Sequence, residues 1–589
     1  MKKKLLPLAL AAAAGFTGVT AQAQMVQNHD GTGDLLMYPI YTANGGNDTY
    51  ISIANTTSDY KAVKVRFVDA MNSQDSLDFH LYLSPEDHWS GVVTKEGDGA
   101  VLKTGDTSCT VPNSLAASAV GQLGTTAPMR TAKYAAGGAE ADAINNDLSR
   151  TLEGHVEVIE MGVIPTTGDH SAAIRAAILH SNGVPGKCSD LEAAWTQTGA
   201  LDATKAAGAF YYTDEDSTPG NFTAAPLPLD APTGGLYGYG VIINVPDGTA
   251  AMFDAVAVDN FMANGYHPTP GDDEPGVDDG VNTALLIRTH TNTIDTDGTN
   301  EGTAAVAAPS FVTFEAGENG GVEIVNAAGD ATALTLGQAS ERHISATRGR
   351  TGSRLIGGGN LGTANDQTTG AAGSKEALSA LLMRTSISND YVLEPGLNAA
   401  TDWVVTFPTK RDFVNMAPTT AANTTVPAEA PFSNLWDHSK TESCETIAID
   451  YWDREEGKET ISTSFDFSPA PVTTPTTIGL CAESNIVNFK QDAAVLGGSS
   501  RITKVLTLAS GFNNGWATIK FSQGSQELTG ATNSGAIQDG DVMVKGLPVI
   551  GFAIQKYVNN AATSAGALAN YAGSIGHHYA SEVIELDAN

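Results

Sequence analysis

The sequence predicts a mainly β chain, with antiparallel, Ig-like β-sandwich modules at both ends. It also predicts a Gly/Ala/Thr-rich middle region between them, and one or two short helices in the chain. Three observations carry this. Short runs near both ends alternate apolar with polar residues. Polar turns interrupt those runs about every ten residues, the rhythm of a sandwich. A segment near the start also aligns without a gap on a segment near the end. Period-2 alternation marks strands with one buried face.

Residues 1–23 read as a secretory signal. Lys2, Lys3 and Lys4 lead an apolar run from Leu5 to Val19, and Ala21-Gln22-Ala23 offers small residues for cleavage before Gln24. The run is too short and too rich in Ala and Gly for a membrane anchor. No later stretch is long and apolar enough for a spanning helix once the signal is removed. Export to the cell surface, the medium or the periplasm is the expectation.

Residues 24–265 form the expected N-terminal β-sandwich region. Thr49–Asn55 and Lys61–Val68 alternate, and Leu77, Phe79, Leu81 and Leu83 share one face opposite Asp78, His80, Tyr82 and Ser84. Residues 266–305 read as an acidic Gly/Pro linker or loop. Residues 306–400 read as a mixed middle region, with strands near Phe311–Glu315 and Val322–Asn326. A helix is expected over Lys375–Arg384, where Leu378, Leu381 and Leu382 share a face and Ser374 can cap. Ala172–Leu179 is a weaker helix candidate. Residues 401–589 form the C-terminal β-sandwich region, with strands at Trp403–Phe407, Trp516–Phe521 and Val549–Val558.

The aligned segments are Val63–Pro85 and Ile447–Pro469. Asp69/Asp453, Ser84/Ser468 and Pro85/Pro469 are identical, and apolar positions match along both. Each reads as a strand, an acidic turn and a return strand closed by Ser-Pro, because proline cannot donate to a ladder. Duplication and two independent hairpins obeying the same rules both account for this.

Composition excludes some partners. The chain has 589 residues, with 66 Asp+Glu against 32 Lys+Arg, a formal charge of -34. Phosphate backbones and anionic membrane surfaces would be repelled, so no nucleic acid is expected as a partner. Four cysteines in an exported chain suggest two disulfides. Position along the chain favours Cys109 with Cys188 and Cys444 with Cys481. No C-x-x-C spacing suggests a zinc site.

The runs Leu77–Trp89 (LDFHLYLSPEDHW), Thr401–Lys410 (TDWVVTFPTK), Tyr451–Glu456 (YWDREE) and Gly546–Tyr557 (GLPVIGFAIQKY) resemble an uncharacterised family of exported, cell-surface proteins of Gram-negative bacteria. The resemblance implies export and surface location. It brings no reaction and no catalytic residues.

Catalytic signatures are weak. Gly357–Gly362 fits G-x-G-x-x-G but lacks the flanking strand and helix that dinucleotide binding needs. There is no G-x-S-x-G and no H-E-x-x-H. His577-His578 are adjacent, so their side chains diverge. Asp453-Arg454-Glu455-Glu456 reads as a solvated turn. Calcium is the better ligand candidate. Asp272, Asp273, Glu274, Asp278 and Asp279 crowd one loop, and Asp295, Asp297 and Glu301 another, as hard cations require. Neither loop has the twelve-residue calcium pattern, so a solvated linker is the alternative. Among the six tryptophans, Trp89, Trp403 and Trp452 lie in or beside strands, where core packing is expected; an exposed tryptophan could stack on sugar.

The expected function is an exported, non-catalytic surface, matrix or adhesive protein, calcium-stabilised or not, whose partner is a surface glycan or another copy of itself. The alternatives are a secreted glycan-active hydrolase or carbohydrate-binding protein, and an outer-membrane β-barrel. The barrel is disfavoured by the low aromatic content and the C-terminus Glu-Leu-Asp-Ala-Asn.

Overall fold

The computed structural model describes residues 26–194, 229–261, 374–461 and 478–586, with gaps that include 132–143, 415–429 and 529–540. The expected signal segment, the two expected acidic loops, the strands expected at 311–315 and 322–326 and the glycine run at 357–362 lie outside the described residues.

The chain is mainly β, and among the described residues its several sheets are antiparallel but for one short parallel pair. The N-terminal half uses β1 (Leu35–Thr42), β2 (Asn47–Asn55), β3 (Lys61–Asp69), β4 (Asp75–Leu83), β5 (His88–Glu96), β6 (Gly99–Lys103), β7 (Glu153–Val163), β8 (Leu236–Asn244), β9 (Thr249–Asp254) and β10 (Val256–Asp259). One sheet runs β10-β1-β7-β3-β4, and the facing sheet runs β9-β8-β2-β5-β6. Between them Val63, Val65, Phe67, Phe79 and Leu81 meet Ile51, Ile53, Trp89 and Leu102. The expected hairpin is present, with Val65 opposite Phe79 and Val63 opposite Leu81.

The second face of the first sheet departs from expectation. The alternation in β3 and β4 predicts one buried face, yet all residues of β1, β3 and β7 are buried. Helix α1 (Asp169–Ile178) and the short α2 (Ser189–Ala194) supply part of the cover, through Ile174, Ile178 and Leu191. Charges on that sheet are tolerated because they are paired. Lys61 donates to Glu160 at 2.7 Å with both side chains fully buried, and Arg66 to Glu157 at 2.8 Å. Arg150 pairs with Asp69. Buried charge persists only with such partners.

The C-terminal half uses α3 (Ser374–Leu382), β11 (Ser386–Val392), β12 (Ala399–Thr406), β13 (Glu445–Asp453), β14 (Lys458–Ile461), β15 (Ser484–Asn488), β16 (Asn514–Lys520), β17 (Phe552–Ser564) and β18 (Ala567–Gly576). One sheet runs β14-β13-β16-β11, the other β15-β12-β17-β18. Ile387, Tyr391, Ile447, Ile449, Ala517 and Ile519 face Trp403, Val405, Val487 and Ile554. The second aligned segment pairs Ile449 with Ile461 and Trp452 with Lys458; its remainder, including Phe465, lies outside the described residues.

The two halves share one core. Phe253 stacks on Phe552 at 4.6 Å, and the Thr406 hydroxyl donates to the Pro39 carbonyl at 2.6 Å. Asn47 donates to the carbonyls of Val495 and Leu496, and Ser499 donates to Glu153. Asp402 sets that loop: its buried carboxylate accepts the backbone N–H groups of Val495 and Leu496, both at 2.9 Å. Burial pushes the Asp402 carboxyl above its ordinary value, against those hydrogen bonds. Helix α3 adds Leu378, Leu381 and Leu382 to the cluster on the outer face of the N-terminal sheet.

Candidate ligand-binding face

The sulfurs come first. Cys109 is bonded to Cys188 and Cys444 to Cys481. Among the described residues, Glu442, Cys444 and Cys481 form the one cluster with metal-ligand spacing, but both sulfurs are in the disulfide. Thiolate, not disulfide sulfur, ligates metal. Asp272, Asp273, Asp278, Asp279, Asp295, Asp297 and Glu301 lie outside the described residues, so their candidacy for calcium rests on sequence alone.

Lys410 stands beside that disulfide. Its fully buried ammonium donates to the carbonyls of Ser443 and Cys481 at 2.5 and 3.0 Å. Burial pulls its pKa down to about 8, opposed by the nearby carboxylates of Glu445, Glu483 and Glu442. Its two carbonyl contacts are those of a strut.

The acidic run at residues 453–456 is a turn. Asp453 accepts the N–H groups of Glu455 and Gly457 at 2.9 and 2.8 Å, and Glu456 has a left-handed φ of 65°. The two histidines diverge. His577 packs on Trp403 and bonds the Val404 carbonyl, with burial pulling its pKa down to about 4, while His578 is exposed.

The tryptophans divide differently from expectation. Trp89 and Trp403 are fully buried, but Trp452 is only half-buried and lies on the open face of the C-terminal sheet. Alternation explains this. Ile447, Ile449 and Tyr451 of β13 point inward, so Ala448, Asp450 and Trp452 point out. In β16, Ala517 and Ile519 point inward, so Trp516, Thr518 and Lys520 point out.

Register then brings the outward residues together. Asp390 of β11 lies opposite Trp516 of β16, Trp516 opposite Trp452 of β13, and Trp452 opposite Lys458 of β14. The two indoles stack with centroids 3.9 Å apart and planes 5° from parallel. Lys458 places its ammonium 5.2 Å from the Trp452 ring. One end of this π stack is thus closed by a cation. The other end is Trp516, 42 % exposed. Asp390 is exposed beside it.

The adjoining row is polar and rigid. Ser388 and Thr518 share a 2.7 Å hydrogen bond. Asp450, nearly buried, is clamped by Lys520 at 2.7 Å and by Lys458 at 3.1 Å. From behind, the Tyr391 hydroxyl donates to the Trp452 carbonyl at 3.1 Å. Such a face offers a large planar apolar surface, held still, with acceptor and donor groups at its margin. It can stack and hydrogen-bond a ligand without covalent chemistry.

The sequence reading missed Trp516 as a site residue and placed Trp452 in the core. The signal was present: in both strands the tryptophan shares its parity with charged and polar residues, not with the aliphatic ones. Among the described residues, no helix is long and apolar enough to cross a membrane. Compared with known proteins, the chain matches no family model, no curated protein and no solved structure.

Proposed function

We propose that this chain is an exported, non-catalytic surface, matrix or adhesive protein, and that it holds its partner on the open face of the C-terminal sandwich. The observation that carries the reading is the Lys458–Trp452–Trp516 stack, which ends in an exposed indole beside Asp390. Tryptophan is a common anchor of binding surfaces because it buries much area at little entropic cost. The fused sandwiches supply a rigid mount for it. Two disulfides support an oxidising, non-cytoplasmic location. The signal-like start and the resemblance to surface proteins support export.

Fractionation and protease shaving of intact cells test the location, and attachment of the purified chain to cell envelopes or matrix tests the face. Wild-type protein is expected outside the inner membrane, and Trp516→Ala, with an unchanged melting temperature, should attach about tenfold more weakly. A cytoplasmic protein, or equal attachment by the variant, overturns the proposal.

A further inference from the structure

We infer that the ligand of this face is a neutral glycan, whose pyranose ring lies against the free side of Trp516. The inference rests on the reading of the face as a binding surface and adds the ligand class. The inner side of the Trp516 indole is occupied by Trp452 at 3.9 Å, so its other side is the one presented outward. A pyranose ring carries a patch of C–H groups of slight positive charge, which suits the negative face of an indole.

The charges at the margin choose among ligands. Asp390 lies directly across the ladder from Trp516, and among the described residues its carboxylate makes no ion pair. It can accept a hydrogen bond from a hydroxyl. Lys520, four residues along β16 on the same face, is half-exposed and carries spare donor hydrogens beyond its bond to Asp450. Sugar hydroxyls both donate and accept, so a neutral glycan can use both groups. An anion would meet Asp390 and a chain of net charge -34. A cation gains less here than at a bare indole, because Lys458 already draws on the same stack.

The test is calorimetric and fluorescence titration of the full chain with uncharged oligosaccharides of glucose, xylose, mannose and N-acetylglucosamine, with choline and arginine as cationic probes. At least one neutral oligosaccharide should bind and perturb tryptophan fluorescence. Trp516→Ala should weaken that binding about tenfold or more, with Trp516→Phe intermediate and Asp390→Ala also weaker. Both positions are exposed, so unchanged melting temperatures will show that the variants fold. If no oligosaccharide binds, or binding ignores Trp516, or the cations bind and the sugars do not, the glycan assignment is wrong. Should Trp516→Ala still abolish attachment to cells in that case, the face remains the binding surface and only its ligand class falls. Equal attachment would remove both.

Discussion

Gly45 and Gly497 meet back to back where the two halves join. A Cβ added to Gly497 would lie 2.7 Å from the Gly45 Cα, and the two residues have φ angles of 62° and 65°. Both the space and the backbone therefore require glycine. Around this contact run the bonds from Asn47 to Val495 and Leu496 and from Ser499 to Glu153.

Gly497→Ala should lower stability by about 2 kcal/mol or more, through strain and the lost approach. Because the halves share a core, it should shift one cooperative transition by calorimetry. Two separated transitions, with only the later half affected, would show that the halves are independent.

The second prediction concerns Arg66 and Glu157, opposite each other on β3 and β7 and both 2 % exposed. Glu157→Met or Arg66→Met should each cost about 3–5 kcal/mol, since either leaves a buried charge without its main partner. Replacing both by Met should cost less than the two single changes together. Chemical denaturation of the four proteins checks this; additive losses would mean the pair is not coupled.

Lys410 gives a pH signature. Its folded value, about 8, lies below its ordinary 10.5, so between these the unfolded chain binds the proton more tightly. Its contribution to stability therefore rises with pH across that window, by at most about 1.4 kcal/mol per unit. From pH 8 to 10 wild type should gain stability relative to Lys410→Met as the pH rises. A difference that does not change with pH would place the lysine's folded value near its unfolded one.

Local pattern made much of the fold legible. The hairpin at Val63–Pro85, the helices near 172–179 and 375–384 and both disulfide pairs follow from alternation, a leucine face and position along the chain. The double burial of the first sheet does not. Glu157 lies 91 residues from Arg66, and Glu160 lies 99 from Lys61, so nothing local marks those charges as paired. The Gly45–Gly497 contact is equally invisible before the halves are assembled. The Trp452–Trp516 stack lay between these cases: parity pointed both rings outward, but only strand order makes them neighbours.

The most direct measurement is oxidative footprinting of tryptophan side chains, with and without cell envelope or matrix material. The account predicts that Trp516 is modified readily in the free chain and is shielded several-fold when bound, while buried Trp89 and Trp403 stay unmodified in both states. Equal modification of Trp516 in the bound and free states, with shielding elsewhere, would contradict it.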